Sequence, residues 1–167
     1  ERVGRRAQAL VRGSRTLING LMDLLASDKI QPLKQVDNLE RRMDAHETVL
    51  KAYKYFGEAD MENLATLYHD DYVFYMNGMH RLSGQYHGFG DWASNCLAKI
   101  PQALPNFSLE VLTSFSDGSR VFVHARATAD GLDAYFGHYA VVEDGKIKEF
   151  HVFDDSQKVA HAMKAVI

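Results

Sequence analysis

The chain has a single cysteine, Cys96, and only three prolines in 167 residues. One cysteine excludes an intrachain disulfide and a cysteine-rich zinc site, so stability must come from packing. That fits a reducing compartment, and the cytoplasm is the expected location. Because the first residue is Glu1 rather than methionine, organelle targeting stays open. No apolar run approaches the roughly 18 residues that span a bilayer. There is no excess of positive charge either: 19 lysines and arginines face 22 acidic residues, a formal net charge of -3. Without an overall basic field, nucleic acid is not an expected partner. No glycine-rich loop follows a strand, and no serine sits in a nucleophile elbow. The eight histidines show no paired spacing of the His-Glu-x-x-His kind. Metal, nucleotide and covalent chemistry are therefore not expected, and no cofactor is called for. What is present is an ordinary globular balance, 46% apolar and 25% charged, in a length that suits one domain.

The organisation changes along the chain. From Val3 to Ala26, apolar residues recur as Val3, Ala7, Leu10, Val11, Leu17, Ile18, Leu21, Leu24 and Leu25, the spacing of one helical face. The other face carries Arg2, Arg5, Arg6, Arg12 and Arg15. Such a stripe left in water exceeds the patch that soluble monomers usually tolerate. A homodimer or larger assembly is expected to cover it, with contact to a membrane surface as the alternative. Gln31-Pro32 breaks the pattern. This divides the chain into an amphipathic helical arm, 1–34, and a domain over 35–167.

In that domain a second helical stripe runs through Val36, Leu39, Met43, His46, Val49, Leu50, Tyr53 and Phe56 to Gly57. Asp60 is placed to cap a helix from Met61 to Tyr68. Val73 to Asn77 reads as a strand, Gly84 to His87 as a short extended piece, and Gly88 to Ile100 as a helix closed by Pro101 and Pro105. Long strands follow over Phe107 to Ser116, Arg120 to Thr128, Ala134 to Glu143 and Lys146 to Asp154, with Asp144-Gly145 as the strongest hairpin signal. A helix from Ser156 to Val166 ends the chain. Helices first and a strand meander afterwards predict an α+β fold with helices gathered on one side of a curved antiparallel sheet.

Three pieces occur in order: Leu82-Ser83-Gly84-Gln85-Tyr86-His87-Gly88 before a helix, the doublet Asp117-Gly118, and Glu143-Asp144-Gly145-Lys146-Ile147-Lys148-Glu149 running to Asp154. With the helix ending Tyr53-Lys54-Tyr55-Phe56-Gly57, this arrangement resembles the SnoaL-like, ketosteroid-isomerase-like branch of the nuclear transport factor two superfamily over about residues 44 to 160. The resemblance implies a cone-shaped pocket between a bent sheet and helices, frequent homodimers, and isomerisation, ring closure or dehydration without metal or cofactor. It also covers members that only bind or assemble, so fold does not decide function.

Matching strands to the family points Thr128, His124 and Arg126 into the pocket, together with Phe150, Val152 and Asp154. It points Tyr135, Gly137 and Tyr139 inward as well, and leaves His151 and Phe153, with Val142 and Ala140, on a face suited to a dimer. The isomerases' tyrosine and two aspartates fall on Ala52, Met76 and Gly137, so that mechanism is lost. Of the epoxide hydrolases' relay only Arg126 survives, its aspartates falling on Thr128 and Val152. The SnoaL-like cyclases' late-strand acid matches Asp154, with Asp155 as the alternative. Two readings of Asp154 stand, an acid/base and a cap of the last helix. In the first, His124 and Arg126 steady a developing oxyanion on an apolar, carbonyl-bearing small molecule. Tyr53, Tyr75, Asn77, Trp92, Tyr135, Tyr139 and Phe150 are the expected substrate-binding residues. The rival function is a non-catalytic ligand-binding or assembly module of the same fold.

Overall fold

In the computed structural model the described residues are 45–163. The arginine-rich stripe, its division from the domain at residue 34, and the last four residues lie outside them. Helix α1 (45–57) places Ala45, Val49 and Ala52 on one buried face, a spacing of four and three that matches the helical period. Two polar contacts tie it to the sheet: His46 Nε2 meets Ser114 Oγ at 2.8 Å, and Thr48 Oγ1 donates to the Gly145 carbonyl at 3.4 Å.

Helix α2 (Met61–Thr66) begins as expected, with Asp60 accepting from the Asn63 N–H at 3.1 Å. It ends earlier than expected, because Tyr68 already belongs to strand β1 (Tyr68–Met76), whose aromatic and β-branched residues fit a pleated surface. Strand β2 (Gly84–His87) has the expected bounds. The helix predicted over Gly88 to Ile100 is three pieces: α3 (Gly88–Asn95), a 3-10 turn at Leu97–Lys99, and α4 (Ile100–Ala103). Pro101 explains the last break, since it lacks the N–H a continuing helix needs and sits where a new helix tolerates it. Strands β3 (Ser108–Asp117), β4 (Arg120–Ala129), β5 (Leu132–Glu143) and β6 (Lys146–Phe153) follow within two residues of their expected limits. The β5–β6 hairpin turns on Asp144-Gly145, both at positive φ (50° and 74°), as a two-residue loop of this kind requires. Helix α5 (Ser156–Ala162) is capped by Asp155, which accepts from the Lys158 N–H at 3.2 Å.

The fold is α+β: a curved, six-stranded, unclosed sheet in the order β2-β1-β6-β5-β4-β3, packed with helices. Neighbours are antiparallel except β1 and β6, which run parallel.

Register assigns each face. On β4 and β5 the pairs Val121↔Ala140, Val123↔His138, Ala125↔Phe136 and Ala127↔Ala134 are all buried. The inner face continues through Phe150 and Val152 of β6 to Phe74 and Met76 of β1. The pairs between them form the outer face: Phe122↔Tyr139, His124↔Gly137, Arg126↔Tyr135 and Thr128↔Asp133. Ala140 and Val142, expected on the dimer face, are buried on the inner one, whereas Phe153 is 52% exposed on the outer one. Ala140 is opposite Phe150 and Val142 opposite Ile147, so the core claims both. The inner face meets an aromatic cluster in which the Tyr68–Tyr72, Phe74–Trp92 and Tyr72–Trp92 ring centroids lie 4.4, 5.1 and 5.7 Å apart.

Candidate functional site

A cavity of about 80 Å³ opens between α1, α3 and the inner face of the sheet. One water needs roughly 10–15 Å³ on that measure, so there is room for a small organic molecule. Its wall is aliphatic and aromatic, with Phe74, Phe136, Phe150 and Val152 from the sheet and Phe56 and Leu97 from the helical side. The lining residues that carry a polar side-chain group are Tyr53, Tyr68, Trp92, Cys96 and His138.

Tyr53 and His138 form the polar centre. Tyr53 leaves α1 on the cavity side, and His138 occupies the inner face of β5 between Phe136 and Ala140. The Tyr53 hydroxyl is hydrogen-bonded to His138 Nδ1, and the two rings stack with centroids 5.9 Å apart. Burial pushes the Tyr53 phenol well above its ordinary range, with Tyr68 adding to the effect. It therefore stays protonated, and donating to Nδ1 gives that proton its one acceptor. The His138 proton is thereby placed on Nε2. Desolvation drives the His138 pKa down to about 4, opposed in part by the Asp154 charge, so the imidazole is neutral at pH 7. His138 is thus a neutral imidazole with its proton on Nε2, held by a phenol in apolar surroundings. Cys96 adds no nucleophile, because burial raises its thiol to about 12 against smaller opposing effects of Tyr86 and Lys99.

Of the ten residues singled out in the sequence, Tyr53, Trp92 and Phe150 line the cavity. Four of the others are on the outer face of β4 and β5, and their inward placement is corrected. Arg126 makes a bidentate ion pair with Asp133, Nε to Oδ1 at 2.9 Å and Nη2 to Oδ2 at 2.7 Å, out in solvent. Asp133 raises the guanidinium pKa further, which fixes its charge but brings it no closer to the cavity. His124 lies 5.3 Å, ring to ring, from Tyr135, which is 63% exposed. Tyr139 packs edge-on against His151 at 5.7 Å. Thr128, expected inward with them, is opposite Asp133 on the same outer face. The physical reason is the stretch Val121, Val123, Ala125, Ala127: the wholly apolar side of β4 is the one that burial selects, and the polar side is left to solvent. Tyr75 is also outside, stacked on His151 at 4.3 Å.

Asp154 and Asn77 belong to a different arrangement. The Asp154 side chain is 1% exposed, accepts from His80 Nε2 at 3.0 Å and from Ser156 Oγ at 2.6 Å, and does not line the cavity. His80 Nδ1 accepts from the Leu82 N–H at 3.3 Å, which leaves Nε2 as the protonated donor. Asn77 Oδ1 accepts from the Asp154 N–H at 3.1 Å, and Ser83 Oγ donates to the Asn77 carbonyl at 2.8 Å. Together these bonds clamp the 77–83 loop onto the start of α5. The capping role falls to Asp155 alone.

His138 is the residue that sequence reasoning missed. Its signal was available in the alternation Ala134, Phe136, His138, Ala140, Val142, an apolar strand face interrupted by one histidine. Among the described residues no group of three or more histidine, cysteine or acidic side chains is placed to hold a metal ion.

A comparison against curated proteins finds no match. Among solved structures, Bal32a from a soil-derived mobile gene cassette superposes with a TM-score of 0.68 at 21% identity, over 74% of this chain and 99% of that one. An NTF2-like protein from Burkholderia thailandensis gives 0.67 at 17%, over 72% and 98%. TerC, co-crystallised with polyporic acid, gives 0.61 at 23%, over 68% and 93%. At such identities these likenesses speak for the fold. The family described as SnoaL-like domain matches residues 49–150, a span from the middle of α1 to β6 that holds Tyr53, Trp92 and His138, and the chain belongs to that family.

Proposed function

We propose that the protein binds a largely apolar, carbonyl-bearing small molecule in the cavity, with the carbonyl oxygen accepting from His138 Nε2–H. The observation that carries this reading is the buried Tyr53–His138 hydrogen bond at the wall of an otherwise apolar cavity. A ligand pocket is commonly such a space with a few placed polar groups that fix orientation. Ketones on the trans-decalin frame test it. 2-Decalone is expected to bind more tightly than decalin itself, and Tyr53→Phe is expected to erase the preference, because the imidazole then loses the donor that sets its tautomer. Equal affinity for ketone and hydrocarbon in the unaltered protein contradicts the reading.

One observation favours an enzyme of the isomerase or cyclase kind: the Asp154 charge acts on His138, so a proton arriving at the imidazole is partly stabilised. In that reading His138 Nε2–H passes its proton to the carbonyl oxygen and Nδ1 takes the Tyr53 hydroxyl proton in its place, while water takes the hydrogen from the adjacent carbon and returns a proton to Tyr53, all without metal or cofactor; Asp154 acts on the reaction only through His138. Exchange of the hydrogens beside the 2-decalone carbonyl in heavy water separates the two. Exchange above the buffer rate, abolished by His138→Gln, supports the enzyme; exchange at the buffer rate supports binding alone.

The outer face supports assembly with a second copy. Phe115, Tyr135 and Phe153 are 63%, 63% and 52% exposed there, and Phe115 stacks on Phe122 at 5.3 Å. An aromatic band whose charges pair within the band, as Arg126 does with Asp133, is suited to an identical face rather than to a strongly charged partner. Light scattering is expected to report a dimer that Phe153→Glu converts to monomer; a monomeric unaltered protein contradicts it.

A further inference from the structure

The cavity wall carries no positive charge. Among the described residues its titratable lining side chains are Tyr53, Tyr68, Cys96 and His138, with no lysine or arginine. Burial keeps the two phenols and the thiol protonated and neutral, and desolvation keeps His138 neutral at pH 7. An anion entering this space gives up its water and meets no counter-charge.

The charge that does act on His138 is negative, and it belongs to Asp154. Phe150 and Val152 are buried on the inner face, and Asp154 continues their alternation with a side chain 1% exposed. Val152 is opposite His138 and Phe153 opposite Gly137, so Asp154 stands on the diagonal from His138, roughly 7–8 Å along the sheet. Both carboxylate oxygens accept, Oδ2 from His80 Nε2 at 3.0 Å and Oδ1 from Ser156 Oγ at 2.6 Å, as an ionised group requires. Neither donor cancels the charge: Ser156 is neutral, and the second ring nitrogen of His80 is already taken by the Leu82 N–H at 3.3 Å. Gly78, at φ 89°, lets the 77–83 loop close on this group, since a Cβ there would come within 2.7 Å of Ser156 Cβ. The result is a fixed, uncompensated negative charge, buried where salt screens it little.

We infer that Asp154, held by His80 and Ser156, is a specificity-determining residue that keeps anions out of the cavity, so that the ligand is uncharged and a carboxylate on the same frame is refused. The inference rests on the cavity being the ligand site, and it adds a rule about charge to a reading that so far concerned shape and a carbonyl group. Asp154 touches no ligand; its field sets which ligands are admitted.

trans-Decalin-2-carboxamide and trans-decalin-2-carboxylate have nearly the same shape and differ by one charge. At pH 7.5 the amide is expected to bind roughly 100-fold more tightly than the carboxylate. Asp154→Asn makes the same neutral-for-charged exchange in the protein. It is expected to narrow the gap by about 10- to 20-fold, the effect of a unit charge roughly 10 Å away at an effective dielectric constant of about 20. Equal affinity for the two compounds in the unaltered protein overturns the inference and leaves ligand binding in the cavity standing. A gap that Asp154→Asn leaves unchanged overturns it as well, because desolvation alone then excludes the anion. Failure of both compounds and of 2-decalone to perturb any cavity residue overturns the cavity reading and this inference together. A pH series on the unaltered protein keeps the test decisive even if Asp154→Asn folds poorly. From pH 6 to 8, affinity for the carboxylic acid should fall about tenfold or more as its un-ionised fraction disappears, while affinity for the amide holds. Steady affinity for both across that range overturns the inference.

Discussion

The two faces of one sheet carry similar residue types and use them in opposite ways. On the inner face a histidine is enclosed among phenylalanines and valines and hydrogen-bonded to a tyrosine from α1, which packs over that face. On the outer face His124, Tyr135, Tyr139 and Arg126 are more numerous and more conspicuous, yet they touch solvent, one another, His151 or Asp133. Chemistry follows the environment rather than the residue list. Burial turns His138 into a fixed neutral donor, while the ion pair of Arg126 is spent on a surface contact worth little.

That contrast can be broken most severely from the inside. Val123 is fully buried opposite His138, and Val123→Asp is expected to cost more than about 4 kcal/mol in urea unfolding, since it buries an unpaired charge. Retention of most of the stability would mean that the inner face is not the core. A smaller effect comes from pH. The His138 pKa is about 4 in the folded chain against 6.5 for an ordinary histidine, so the unfolded chain binds more protons between these values. Stability is therefore full above about pH 6.5 and falls as pH drops towards 4, by about 3 kcal/mol for this group. His138→Gln should flatten that part of the stability profile, and an unchanged slope would assign it elsewhere. Next comes Asp154→Asn, which weakens the clamp on the 77–83 loop at a side chain 1% exposed. It is expected to cost about 1–3 kcal/mol while leaving 2-decalone affinity intact; lost binding with unchanged stability would return Asp154 to the ligand. The smallest effect is Arg126→Ala, expected to leave both melting temperature and ketone binding unchanged.

Much of the fold was legible because it is written in short-range signals. Asp60 as a cap, Asp144-Gly145 as a hairpin and Gly84 to His87 as a short extended piece each depend on a few neighbouring residues, whereas the cap of the last helix, read at Asp154, is Asp155. The break of the Gly88 helix was misjudged because Cys96 to Lys99 has ordinary helix-compatible residues, and Pro101 acts on the turn before it. The candidate site was legible in part. Tyr53, Trp92 and Phe150 fall on apolar stripes that face inward. The β4 and β5 side chains were assigned to the wrong face because a likeness to other proteins was allowed to outweigh alternation. A one-residue difference in register exchanges every side chain between faces, and Val121, Val123, Ala125 and Ala127 had already named the buried one. The pairing of His80 with Asp154 spans 74 positions and needs three-dimensional coordinates to be seen.

The central claim is that His138, not His124, is the histidine that meets the ligand, as a neutral imidazole protonated on Nε2. Nitrogen-detected NMR of the eight imidazoles during a pH titration, with and without 2-decalone, tests it most directly. The account predicts that His138 keeps the Nε2–H form down to about pH 5, titrates near 4, and is the ring whose Nε2 signal moves when the ketone is added. A His138 that titrates near 6.5, or a ketone that shifts the His124 signals and leaves His138 unmoved, would contradict it.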